Sequence, residues 1–186
     1  LENNIVKRNI FVCLLMVMST STAIAAPENN AGTIHFTGEI IEPSCVIVGD
    51  EGTTYNVPLG TYPTSYFKTV GTETDTVPVT ISLKDCPVKS DGLAAIQLTF
   101  TGTTIAGSTD KLAVSEATGV GIVLSEAGHA ETLIKFDTSD KQVFIPLPTT
   151  AVDVISTSLD ARYKSAAAAV TAGAANADLV INILYR

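Results

Sequence analysis

The 186-residue chain has no tryptophan, two histidines, three cysteines and only 11 basic side chains against 19 acidic ones. Without tryptophan, the buried-Trp hallmark of antibody domains is excluded. A formal charge of −8 and a pI near 4.6 leave no basic footprint for neutralising phosphates, which excludes nucleic acid and argues against anionic membrane surfaces. Long apolar runs are also missing. The longest, Ile10 to Met18, is nine residues, whereas a helix needs about 20 to cross a hydrocarbon core. The two histidines, His35 and His129, are the only histidine bases and stand far apart. His35 opposes the apolar parity of its own run, and His129 lies in the polar stretch Glu126-Ala127-Gly128-His129-Ala130-Glu131. No G-x-S-x-G elbow, H-E-x-x-H pair or phosphate-binding glycine loop is present. Cys45 and Cys86, 41 positions apart, show no zinc-ligand spacing with the histidines. The acidic pairs Asp50-Glu51 and Glu73/Asp75 lack the ligand order of a calcium loop and read as solvated turns. Neither an enzyme, a metal site nor a cofactor is expected.

What is present starts with an export signal over residues 1–25. Lys7 and Arg8 give a basic start, the nine-residue run follows, and Ala23-Ile24-Ala25 is a small-x-small cleavage site. The mature chain of 161 residues then carries 18 acidic and nine basic groups, with no membrane span. It is 46% apolar over the whole chain, too hydrophobic to stay disordered by composition, and long enough for one domain. Cys13 leaves with the signal. Cys45 and Cys86, in an oxidising compartment, are expected to pair, the alternative being two separate buried thiols. Such a bridge would close a loop worth roughly 4 kcal/mol by chain entropy.

The period of the mature chain is two. Val77, Val79, Ile81 and Leu83 alternate with polar residues or proline, and Ile96, Leu98 and Phe100 do the same. So do Val120, Ile122 and Leu124; Val143, Ile145 and Leu147; Leu159, Ala161 and Tyr163; and Leu179, Ile181, Ile183 and Tyr185. Turn residues at 87–92, 102–110, 126–128 and 137–140 separate these runs. Short half-buried strands without alternating helices predict an antiparallel sandwich. Gly119-Val120-Gly121 marks a bulge or a close backbone approach. Ala166 to Val170 favours helix by composition but is too short to hold alone, so it is a loop or a single helical turn.

Three local features together bear a family likeness. Ala31-Gly32-Thr33-Ile34-His35-Phe36-Thr37-Gly38-Glu39-Ile40 is followed by Pro43-Ser44-Cys45. Leu83-Lys84-Asp85-Cys86 ends the Val77 strand. Ala172-Gly173-Ala174-Ala175-Asn176-Ala177-Asp178 precedes a run ending in Tyr185, twelve positions after Gly173. With Val120-Gly121-Ile122-Val123-Leu124, Gly128 and Ala161-Arg162-Tyr163, the whole mature chain resembles the major pilin subunits of type 1-like fimbriae, assembled by the chaperone–usher route.

That resemblance implies an all-β fold, an incomplete immunoglobulin-like sandwich lacking its final strand, over residues 39–186, preceded by a donor-strand extension over residues 26–38. It implies assembly with identical or related pilin subunits, a periplasmic chaperone and an outer-membrane usher, and a place in a fimbrium on the cell surface. Gly32, Ile34, Phe36 and Gly38 share one parity and would enter a neighbour's groove; periodicity alone leaves open a strand of the chain's own sandwich. Leu179, Ile181, Ile183 and Tyr185 would border the groove and meet the chaperone, whose basic side chains would hold the carboxylate at Arg186. Arg186 departs from the neutral residue of the family at that place. The alternative is a self-contained exported binding domain or a minor adaptor or adhesin subunit.

Overall fold

The computed structural model describes residues 34–38, 40, 45–48 and 55–186. The expected export signal over residues 1–25, Gly32 and the Asp50-Glu51 pair lie outside the described residues. The chain divides into two units, Leu1–Ile40 and Ile41–Arg186. In the first, residues 34–38 carry no regular secondary structure, and Ile34 and Phe36 are 79% and 87% exposed.

The second unit is built of antiparallel strands: β1 Val46–Ile47, β2 Val77–Lys84, β3 Ala95–Thr101, β4 Leu112–Ala113, β5 Val120–Glu126, β6 Val143–Pro146, β7 Val154–Ser165 and β8 Val180–Tyr185. One five-stranded sheet runs β1-β2-β7-β5-β4 and one three-stranded sheet runs β6-β3-β8. The period of two sends Ile81 and Leu83, Ile96, Leu98 and Phe100, Ile122 and Leu124, Val143 and Ile145, and Leu159 and Ala161 into one shared core. This is the all-β, two-sheet architecture the alternation predicts. β1 and β4, two residues each, and a 3₁₀ turn at Thr64–Tyr66 are too short to show a period.

Two expectations change. β5 is not half-buried: Val120 through Ser125 are all buried, because the outward side of the five-stranded sheet is itself covered around Val123 and Arg162. Ala166 to Val170 forms no helix. Its backbone bonds go elsewhere, with Ala166 and Ala167 N–H donating to the Gly119 carbonyl at 2.8 and 3.1 Å. That crossing makes Gly119 obligatory, since its φ is +76° and an added Cβ would lie 2.2 Å from the Ala169 carbonyl oxygen. The close approach anticipated at Gly119-Val120-Gly121 is therefore real, and it fixes the chain that leads into β8.

Candidate functional site

β8 is an edge. It pairs with β3 on one side, and no other described strand pairs with it. Arg186 and Ala95 exchange both backbone bonds, each at 2.9 Å. Antiparallel pairs alternate, so Leu184, Asn182 and Val180 also bond to β3, while Ile181, Ile183 and Tyr185 turn their N–H and C=O groups to the open side. These same residues point their side chains inward.

Their burial differs from that of the strand they pair with. On β3 the inward Ile96, Leu98 and Phe100 are each 0% exposed. On β8 the equivalent Ile181, Ile183 and Tyr185, with Leu179 just before them, are only half-buried although they pack on the same core. A row of apolar side chains touching both core and water, beside backbone groups that no described strand pairs, is an edge that a further strand can join. The predicted groove residues Leu179, Ile181, Ile183 and Tyr185 thus come together on one edge. Arg186 does not face it: its guanidinium lies on the outer face of the three-stranded sheet, donating to Gln97 Oε1 at 3.2 Å and to Asp140 Oδ1 at 3.1 Å.

Each end of this edge is built differently. At one end the Cys45 N–H donates to Tyr185 Oη at 2.9 Å, and Cys45 is joined to Cys86 by a disulfide, their Cα atoms 4.3 Å apart. Tyr185 is thereby fixed to the start of β1, and β1 to the end of β2. At the other end, where the chain leads into β8, a cavity of about 590 Å³ opens between residues 60–67 and 170–176, with Val120 and Tyr163 in its wall and no charged side chain lining it. Tyr163 Oη donates to the Ala175 carbonyl at 3.0 Å, and the Tyr62 ring meets the Tyr163 ring edge-on at 6.2 Å.

Behind Tyr163 lies a group that the sequence pattern misplaces. Glu73 is not a solvated turn residue: it ion-pairs with Arg162 Nε and with Lys164 Nζ, the latter at 2.6 Å. Arg162, 2% exposed, also donates to Ser125 Oγ at 3.1 Å and to the Ala130 carbonyl at 2.7 Å. An arginine alternating with Ala161 and Tyr163 looks solvent-facing. Only the loop folding over it reveals the burial, and an arginine so placed must be paired.

Partial burial alone would raise the Glu73 carboxyl, but the hydrogen bonds and charges of Arg162 and Lys164 outweigh it and hold the group below the ordinary glutamate range. A carboxylate depressed in the folded state adds stability that is full above its unfolded value and is lost as pH falls through the folded one. Wild-type melting temperature is therefore expected to fall below about pH 4 more steeply than that of Glu73→Gln, when the two are melted side by side across pH 2–7. Parallel curves would contradict the assignment. His35 and His129 are both exposed, and no cluster able to hold a metal occurs among the described residues.

A family model described as "Fimbrial protein" matches residues 34–186. A type-1 fimbrial protein subunit of Serratia marcescens is 36% identical over 190 residues, covering 97% of this chain and 99% of its own. The type-1 fimbrial protein A chain of Escherichia coli K12 is 33% identical over 185 residues, covering 95% of this chain and 96% of its own. Both relatives are described as type-1 fimbrial proteins. Among solved structures, the P pilus rod subunit PapA is similar with a TM-score of 0.63 at 24% identity, over 76% of this chain and 99% of that one, a likeness of fold. A type I fimbria protein of Burkholderia pseudomallei is similar with a TM-score of 0.51 at 31% identity, over 83% of this chain and 97% of that one.

Proposed function

The chain belongs to the fimbrial protein family, and from that premise we propose that it is a pilus structural subunit that polymerises head to tail. Each copy lends an extension, residues 26–38 with Ile40 just beyond, to the open β8 edge of the next copy's domain over residues 39–186. The observation that carries this reading is the coincidence, at Ile181, Ile183 and Tyr185, of edge-facing backbone groups with half-buried inward side chains. A strand laid there gains main-chain bonds and apolar contacts at the same residues.

The extension has the matching form. Gly32, Ile34, Phe36, Gly38 and Ile40 share one parity, and Ile34, Phe36 and Ile40 stand exposed. An antiparallel insertion sets Ile34 and Phe36 opposite inward residues of β8 as hydrogen-bonded pairs, and Ile40 fits the uncharged cavity at the β8 entry. Burying Ile34 and Phe36 contributes about 1.5–3 kcal/mol each by area, before the cost of ordering the segment. The glycines allow close backbone approach on either side of them.

An open edge is a hazard for a free subunit. A periplasmic chaperone holds it until the outer-membrane usher passes the subunit to the growing fibre, where a neighbour's extension takes over. The contact is heterologous and does not close on itself, so it gives a filament on the cell surface that supports adhesion. Electron microscopy of cells expressing the whole assembly operon tests the reading: with the chain present, fibres are expected, and with its reading frame deleted they should be lost or severely shortened. Fibres of normal number and length in the deletion would contradict it.

A further inference from the structure

We propose that Glu73 and Arg162 are positioning residues for strand insertion, acting through the cavity wall without touching the groove or its occupant. The inference rests on the donor-strand reading above and adds to it a device on the opposite face of the sheet.

The argument starts from the two sides of one β7 segment. Tyr163 faces inward, lines the cavity, and holds one wall through its bond to the Ala175 carbonyl at 3.0 Å. Arg162, the preceding residue, faces outward and holds Glu73. The chain from Thr69 to Thr74 lies along β7 beside these residues. Gly71 N–H donates to the Ser165 carbonyl at 3.0 Å, Ser165 N–H to the Thr72 carbonyl at 2.9 Å, and Thr74 N–H to the Tyr163 carbonyl at 3.1 Å. Tyr163 N–H returns a bond to Thr74 Oγ1 at 3.1 Å. That segment continues directly from residues 60–67, the other cavity wall, whose Phe67 is buried and whose Tyr62 leans on Tyr163. Both walls of the cavity thus hang from residues 162–165, one by the Tyr163 hydroxyl and one by the strip that the Glu73 ion pairs clamp.

The clamp ties several separate stretches of chain to one side chain. Arg162 uses Nε, Nη1 and Nη2 on Glu73, Ser125 and Ala130, three separate stretches of chain. Glu73 divides its two oxygens between Arg162 and Lys164. A buried guanidinium fork fixes direction as well as distance. Its consequence here is a wall held at a set width before any strand arrives, so that seating a side chain in the cavity carries no reordering cost.

A double-mutant cycle between the two faces tests this. The full-length chain carrying Phe36→Asp, which cannot donate, is refolded with a fluorescent peptide of residues 30–41, and peptide dissociation is timed. Glu73→Gln, which keeps an acceptor oxygen for Arg162, is expected to speed dissociation about tenfold, a coupling within the usual range for linked sites. With an Ile40→Ala peptide, which leaves the cavity empty, Glu73→Gln should change the rate less than twofold. Arg162→Lys, which retains the charge and loses the fork, should repeat the pattern. Equal acceleration of both peptides, or of neither, would overturn the positioning role while leaving donor insertion intact. A Phe36→Asp peptide that dissociates as slowly as the unmodified one would instead overturn the donor-strand reading on which the role depends.

Discussion

Cells producing the Phe36→Asp chain are expected to carry no fibres of normal length while accumulating chaperone-bound subunit at the wild-type level. Phe36 stands 87% exposed, so an aspartate there costs the subunit itself little. The effect falls on insertion. A carboxylate entering an apolar groove without a partner forfeits about 1.5–3 kcal/mol of phenylalanine burial and adds a desolvation penalty larger than that. Ile34→Asp is expected to behave alike. His35→Asp is the control, because its opposite parity keeps the new charge in water: fibres should grow at near-normal length. Electron microscopy and co-purification with the chaperone read both halves of the result. Normal fibres with Phe36→Asp, or lost fibres with His35→Asp, would show that the parity assigned to the extension is wrong.

The second large effect concerns the bridge. Cys45→Ser is expected to lower the periplasmic subunit level at least severalfold in an immunoblot, and Cys86→Ser should match it. The disulfide spans a sequence separation of 41, which the chain-entropy estimate values at roughly 4 kcal/mol, against a net stability of about 5–15 kcal/mol for a complete domain. On the donor-strand reading the free subunit is an incomplete sandwich and starts from less. The bond also holds more than its size suggests, because among the described residues β1 pairs Val46 and Ile47 with β2 and adds one bond from Val48 N–H to the Ser82 carbonyl at 2.8 Å. Cys45 is at the same time the donor to Tyr185 Oη, so releasing it loosens the far end of the groove. Unchanged subunit levels would show that the edge is secured by other contacts.

The strands were legible because burial on one face writes a period of two into the sequence, and the inward sets read from β2, β3, β6 and β7 are those found in the core. The row Leu179, Ile181, Ile183 and Tyr185 was legible for the same reason. Its openness is not written in that period and is expected only from the family resemblance, since it depends on which strand lies beside β8, a property of sheet order rather than of the strand's own residues. β1 and β4 escaped because two residues hold no period. Arg162 and Glu73 escaped for a different reason: they are 89 positions apart, and the alternation at Ala161-Arg162-Tyr163 assigns the arginine to solvent. The one available hint was β5, where Val123 on the outward parity is as apolar as its neighbours and implies a covered outer face.

The most direct test is a reconstruction of the assembled fibre at a resolution that traces side chains along β8. Density for residues 34–38 of the adjoining subunit is expected beside Ile181, Ile183 and Tyr185, with that neighbour's Ile34 and Phe36 turned into the core. Density showing each subunit's own residues 34–38 in that place would contradict the account.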